Sequence, residues 1–113
     1  MTRLGNDMLK FMVVLYRRPD LTPEQFRRHL EQIHAPLAQA LPGLRKYIQN
    51  YVCDDPQRKH PGWDAIVELY FDNRDTMEAA WASPQGAASD ADLPMFADLT
   101  RTTWSVVEEI TRR

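Results

Sequence analysis

The sequence predicts a single α+β domain whose strands and helices follow the order β-α-β-β-α-β. The length of 113 residues, with 43% hydrophobic and 27% charged residues, fits one globular domain over 1–113. Two helical segments separate the first strand from the second and the third from the fourth. Strand character is found in residues 8–16, 44–53, 64–71 and 100–110. This order is that of the ferredoxin-like split βαβ fold, an antiparallel sheet with its helices on one face.

The first strand and first helix have clear boundaries. The strand "MLKFMVVLY" is rich in β-branched and aromatic residues, and "RRPD" ends it. Thr22, Pro23 and Gln25 predict an N-cap, a first helical residue and a capping-box partner. Pro42-Gly43 ends the helix. The helical stripe expected to face the core comprises Phe26, Leu30, Ile33, Leu37 and Leu41.

The third strand and the second helical segment also have recognisable patterns. The third strand places Ala65, Val67, Leu69 and Phe71 on one face, and a helix opens at Asp72 or Asn73. Ser83-Pro84 ends that helix, and a helical or irregular stretch runs through Phe96 to the last strand.

The sheet face away from the helices is predicted to be apolar. We expect it to carry Met12, Val14, Tyr47, Tyr51, Ile66 and Tyr70. A face of this kind is usually covered, so the pattern predicts a two-fold homodimer. Polar residues on the same face indicate a lined cavity between the two copies; they are Gln49, Asp64 and Glu68.

Composition excludes several classes of function. A net charge of −2 and a pI near 5.9 give no reason to expect nucleic acid. No apolar run approaches the ~18 residues of a membrane span, and "MTRLGND" lacks the apolar segment of a secretion signal. The single Cys53 excludes an internal disulfide. These features predict a cytoplasmic protein.

No cofactor or metal is predicted. His29 and His34 are five residues apart, so on a regular helix their side chains splay by about 140°. Cys53 has no thiol partner, and phosphate-binding and nucleotide-binding loops are absent.

His34 is the leading catalytic candidate. On a regular helix it lies about 60° from the centre of the apolar stripe. Pro36 removes a helical hydrogen bond and predicts a kink or helix restart next to this histidine. An imidazole with a pKa near 6.5 can act as acid or base at neutral pH. The alternative is a structural histidine at the edge of the core.

Three further residues are catalytic candidates. Tyr47 either orients a ligand carbonyl beside His34 or packs at the dimer interface. Asp64 either holds an imidazole tautomer, acts as a base, or caps a loop. His60, in "RKHPGWD", either covers the cavity mouth or is exposed to solvent. The candidate ligand-binding residues are Tyr16, Gln49, Tyr51, Trp63, Glu68 and Tyr70.

Nearly the whole chain resembles the EthD family of dimeric α/β-barrel proteins. The resemblance runs through "KFMVVLYRRPDLTPEQFRRHLEQIHAPLAQALPGLRKYIQN", "DAIVELYFDNRDTMEAAWASPQG" and "VVEE". Its most specific features are "HAPL" from His34, "LPGL" from Leu41, and Tyr47. It implies a ferredoxin-like subunit whose sheet packs back to back with that of a second subunit to form a barrel.

The resemblance also implies activities. Relatives include the methylmuconolactone methylisomerases, cofactor-free enzymes that rearrange a lactone by proton transfer, and also polyketide cyclases, dehydratases and monooxygenases. A helix histidine, a strand-two tyrosine and a loop histidine of the methylisomerases are similar to His34, Tyr47 and His60, although the loop is shorter here.

Three functions follow from these observations. The first is a cofactor-independent isomerase, lyase or cyclase that acts by histidine-centred proton transfer on a small cyclic or aromatic carbonyl compound, in a catabolic or secondary-metabolic pathway. The second is a non-catalytic accessory protein that binds a small molecule for an ether-degrading or monooxygenase system. The third is a structural dimer whose own side chains fill the barrel. The sequence favours the first.

Overall fold

The computed structural model describes residues 8–113 and has the predicted order of elements. The leading "MTRLGND" lies outside the described residues. The strands are β1 (Leu9–Leu15), β2 (Lys46–Tyr51), β3 (Ala65–Phe71) and β4 (Thr103–Val107). The helices are α1 (Pro23–His29), α2 (Ala35–Gln39), α3 (Arg74–Ala82) and α4 (Pro84–Asp92). A π-helical turn, Leu30–His34, joins α1 to α2, and a 3₁₀ turn, Leu93–Met95, follows α4.

The sheet confirms the ferredoxin-like fold. Its strand order is β2-β3-β1-β4, and every neighbouring pair is antiparallel. The helices pack on one face, and the core between the two layers is apolar. Its fully buried large side chains are Phe26, Phe71, Phe96, Leu15, Leu30 and Met77. No helix within residues 8–113 is long and apolar enough to cross a membrane.

The predicted signals at the ends of the first helical segment are confirmed. The Thr22 side chain accepts a hydrogen bond from the Gln25 amide (3.1 Å), and the Gln25 side chain accepts one from the Thr22 amide (2.8 Å). At the other end Gly43 has φ +77°, and a Cβ there would clash with Cγ2 of Thr76.

The predicted core stripe of the first helical segment is wrong at Ile33 and Leu37, whereas Leu41 is buried as predicted. Ile33 is 51% exposed, whereas His34 is 6% exposed and buried among core residues. The cause is the π turn, in which the Ala35 amide donates to the Leu30 carbonyl five residues back. Such a turn holds an extra residue, so every later side chain is rotated relative to an α-helix. Ala38 is therefore buried where Leu37 was expected.

The predicted faces of the second strand are also wrong. Tyr47, Gln49 and Tyr51 pair in register with core-facing residues of β3, so their side chains face the helices and not the open side of the sheet. Both faces of this sheet carry apolar residues, so alternation alone does not show which face the helices cover. The open face instead carries Met12, Val14, Ile48, Ile66 and Tyr70.

The open face also holds a charged cluster. Lys10 forms an ion pair with Glu68, and its Nζ donates to Oε2 of Glu109 at 3.0 Å. The hydroxyl of Tyr70 donates to the same oxygen at 2.9 Å, and Asn50 donates to Glu68 at 2.9 Å. The hydrogen bond from Lys10 lowers the pKa of Glu68. The mid-strand carboxylate is therefore paired, as its position requires.

Candidate functional site

The cavity that His34 lines, which we call the main cavity, lies between the sheet and the helices inside one chain. Its volume is about 640 Å³. It is not the cavity predicted between the sheets of two copies, because its walls come from the helix-facing side of β1, β3 and β4 and from α3 and α4. Its apolar wall includes Phe11, Val13, Leu69, Met77, Trp81 and Trp104.

His34 enters this cavity from the last position of the π turn. Its Nδ1 lies 3.0 Å from Oδ2 of Asp92, the last residue of α4. The side chains of His34 and Asp92 are 8% and 11% exposed, so the pair is shielded from solvent. The imidazole is therefore fixed by a buried carboxylate from the opposite helix.

His29 binds the same carboxylate. Its Nε2 lies 3.0 Å from each oxygen of Asp92, and its ring stacks on Phe96 with centroids 4.8 Å apart. The His34 ring packs on Phe96 as well, at 5.0 Å. The predicted splay of the two histidines is wrong, because the π turn aligns residues five apart.

The geometry determines which ring nitrogen of His34 is available. A carboxylate oxygen accepts hydrogen bonds, so in the contact with Oδ2 of Asp92 the donor is Nδ1–H of His34. Nε2 is then the nitrogen left for a ligand. Burial lowers the pKa of His34. The hydrogen bond to Asp92 raises this pKa, and the charge of the nearby His29 lowers it further. The net direction favours a neutral imidazole, the form that acts as a base.

Tyr47 lines the same cavity, and β2 positions it through Gln49. The Gln49 Nε2 donates to the Tyr47 hydroxyl oxygen (3.1 Å) and to the Leu30 carbonyl (3.2 Å). The Tyr51 hydroxyl donates to Oε1 of Gln49 at 2.8 Å. Burial raises the pKa of Tyr47, so its hydroxyl keeps a proton that it can donate. The side-chain amide of Gln49 therefore connects the π turn, through Leu30, to Tyr47.

The structure separates Asp64 and His60 from His34 and Tyr47. Asp64 and His60 line a second cavity, of about 840 Å³, together with Tyr51. Oδ2 of Asp64 accepts a hydrogen bond from the Arg17 amide at 2.7 Å. His60 is exposed, and its Nδ1 accepts a hydrogen bond from the Gly62 amide at 3.0 Å. The predicted grouping of all four catalytic candidates around one cavity is therefore wrong.

The other predicted ligand-binding residues are dispersed. Tyr16 packs beneath the guanidinium of Arg101 at 4.3 Å, and Trp63 is half-buried in the loop before β3. Neither lines either of the two cavities. Glu68 and Tyr70 belong to the charged cluster on the open face.

Sequence reasoning missed Asp92 and assigned His29 no role. Asp92 comes from the stretch expected to be helical or irregular, where nothing in the pattern distinguishes it from the other aspartate in "SDADLP". Pro36 was the only available signal of the irregular turn that brings the two histidines together.

Comparison with known proteins identifies one family model that matches this chain, the EthD domain, over residues 18–100. An uncharacterised protein of Rhodococcus erythropolis is 30% identical over 86 residues, which cover 76% of this chain and 82% of that protein. An EthD family crystal structure from Bacillus halodurans has 28% identity and a TM-score of 0.78, and the match covers 91% of this chain and 99% of that one.

Two more distant structures share the fold. One, from Thermobifida fusca, is described as a dimeric ferredoxin-like protein; its TM-score is 0.68 at 16% identity, over 96% of this chain and 97% of that one. The other is SnoaB from Streptomyces nogalater, described as a cofactor-independent oxygenase. Its TM-score is 0.64 at 12% identity, and the match covers 94% of this chain and 96% of that one.

Proposed function

This chain belongs to the EthD domain family, and we propose that it is a small cofactor-independent enzyme that moves a proton on a cyclic or aromatic carbonyl compound. The observation that carries the proposal is the buried imidazole of His34, held by Asp92 at the wall of an apolar cavity that Tyr47 also lines. The reaction class is isomerase, lyase or cyclase.

In this proposal His34 is the general base. Nδ1–H donates to Asp92, and the lone pair of Nε2 takes a proton from a carbon next to the substrate carbonyl. The imidazolium that forms is stabilised by the adjacent carboxylate, and it returns the proton at another position of the substrate. Asp92 thus positions the base, as the aspartate does in a serine hydrolase triad.

Tyr47 is the proposed hydrogen-bond donor to the substrate oxygen. Its hydroxyl oxygen already accepts a hydrogen bond from Gln49, so its own proton is free to face the carbonyl. As the base removes a proton, negative charge develops on that oxygen, and a donor in an apolar cavity stabilises it. A general acid–base pair of this kind supplies about 10²–10⁴-fold rate acceleration.

A protein with the same fold supports the proposal that no cofactor is required. SnoaB shares this fold, and its description shows that one protein of this architecture works without a cofactor. His60 and Asp64 have no part in the proposed step, because they line the other cavity.

The test is turnover by matched histidine variants. The protein is incubated with a panel of lactones and cyclic enones, and product formation and solvent deuterium incorporation are followed by NMR. We expect His34→Gln to lose at least about 10²-fold in rate and His60→Gln to retain the wild-type rate, since His60 is outside the cavity. Full turnover by a folded His34→Gln protein contradicts the proposal.

The alternative is an accessory protein that binds a small molecule for a partner enzyme of an ether-degrading or monooxygenase system. The cavity volume of about 640 Å³ suits this role as well. The same panel separates the two functions, because an accessory protein binds a compound tightly, returns it unchanged and incorporates no deuterium.

We also propose that a second copy of the chain covers the open face of the sheet. The apolar residues of that face support this, and the related Thermobifida fusca structure is described as dimeric. Light scattering should give twice the mass of the 13.2 kDa chain. Ile66→Lys, on this face, should shift the protein to monomer, whereas a dimer unaffected by it argues against this surface.

A further inference from the structure

We infer that the main cavity accepts a neutral, flat aromatic carbonyl compound and discriminates against ligands that carry a carboxylate. The inference rests on the proposed function for the carbonyl group, and it adds the charge and shape of the substrate. It follows from the charged groups that line the cavity and from its aromatic walls.

The charges around the cavity are all of one sign. Glu78 of α3 and Asp90 of α4 line it, and both are exposed at its rim. No lysine or arginine from the described part of the chain lines it. A ligand carboxylate that enters therefore approaches two like charges and finds no cation to pair with.

The interior offers no counter-charge either. His34 is the only basic side chain among the described residues that line the cavity, and burial favours its neutral form. Its Nδ1 is bound to Asp92, which is another carboxylate. A buried carboxylate without a cationic partner is costly, whereas a neutral carbonyl needs only the Tyr47 donor.

The walls suit a flat ring. The Phe11 and Trp81 rings pack with centroids 5.1 Å apart at an interplanar angle of 56°, and Trp104 lines the cavity from the edge strand β4. Aromatic faces of this kind stack on aromatic ligands. A volume of about 640 Å³ accommodates a fused bicyclic or tricyclic compound.

Three matched probes test the inference. Coumarin is a neutral aromatic lactone, coumarin-3-carboxylate adds one negative charge at neutral pH, and 3-acetylcoumarin adds a neutral group of nearly the same size. Affinities are measured by isothermal titration calorimetry with the intact protein at low and high salt. We expect 3-acetylcoumarin to bind at least about 10-fold more tightly than coumarin-3-carboxylate.

Variants at the rim identify the cause. Glu78→Gln combined with Asp90→Asn should narrow the difference between the charged and neutral probes by about 3-fold or more, with little change for coumarin. Equal or tighter binding of the carboxylate, or no binding of either neutral probe, overturns the inference. A preference for carboxylates leaves the proposed acid–base function intact, because that function fails only if His34→Gln keeps full turnover.

Discussion

His29 and His34 hydrogen-bond to one carboxylate although they are five residues apart on the same helical segment. Side chains with this spacing diverge on an α-helix, and they meet here because the π turn Leu30–His34 lies between them. His34 therefore lines the cavity because the π turn departs from regular α-helix geometry.

Asp92→Asn should change the tautomer of His34 and abolish most of the activity. An amide presents a donor as well as an acceptor, so it cannot satisfy both histidines as the carboxylate does. We expect a rate loss of at least about 10²-fold. ¹⁵N NMR of the imidazole nitrogens should show the altered tautomer. Asp75→Asn, at an exposed position in the first turn of α3 that lines neither cavity, is the control, and an unchanged His34 signal in Asp92→Asn refutes the assignment.

Ile33→Gln should hardly affect stability. Its side chain is 51% exposed, so the free energy of unfolding should change by less than about 0.5 kcal/mol. Leu30→Ala, at a fully buried position of the same segment, should cost about 2–5 kcal/mol. Urea unfolding measures both. A large loss at Ile33 in protein shown to be monomeric means that the helix is regular and the π turn is absent.

Stability should fall as the pH is lowered through about 6.5. Burial holds the pKa of His34 below the ordinary value of 6.5, so the unfolded chain binds the proton first as the pH falls. The contribution is complete above about pH 6.5 and is lost progressively toward the lower pKa of the folded state. Urea unfolding between about pH 5 and about pH 8 tests this. His34→Gln should flatten the dependence, and a dependence as steep as that of the wild type contradicts this assignment.

Gln49→Ala should destabilise the protein and disturb the cavity together. The substitution removes hydrogen bonds to Leu30, Tyr47 and Tyr51, and it leaves the buried carbonyl and hydroxyl groups with fewer partners. The expected loss is about 1–3 kcal/mol of unfolding free energy. Gln39→Ala, at an exposed position at the end of α2, should lie within about 0.5 kcal/mol of the wild type. Equal effects of the two substitutions contradict the bridging role of Gln49.

Much of the fold could be predicted because its signals are local. The capping box at Thr22, the stop at Pro42-Gly43 and the helix start at Asn73 each depend on a few neighbouring residues. The order of elements then determines the sheet topology.

The site was less predictable because it depends on contacts distant in the chain. Asp92 and His34 are in contact although they are 58 residues apart in the chain, and no periodicity in the sequence predicts that contact. The face of Tyr47 depends on which side of an apolar sheet the helices cover. The burial of His34 depends on one extra residue in a helical turn, which a regular 3.6-residue period cannot anticipate.

The π turn has a consequence for how this protein is aligned with its relatives. A related chain that runs as a regular α-helix from the residue matching Phe26 to the one matching Gln39 spans the same length with one residue fewer. An ungapped alignment of two such chains sets the buried imidazole of one opposite a solvent-facing neighbour in the other. The residue that matches His34 is then identified only when the alignment allows a one-residue gap between Leu30 and Pro36.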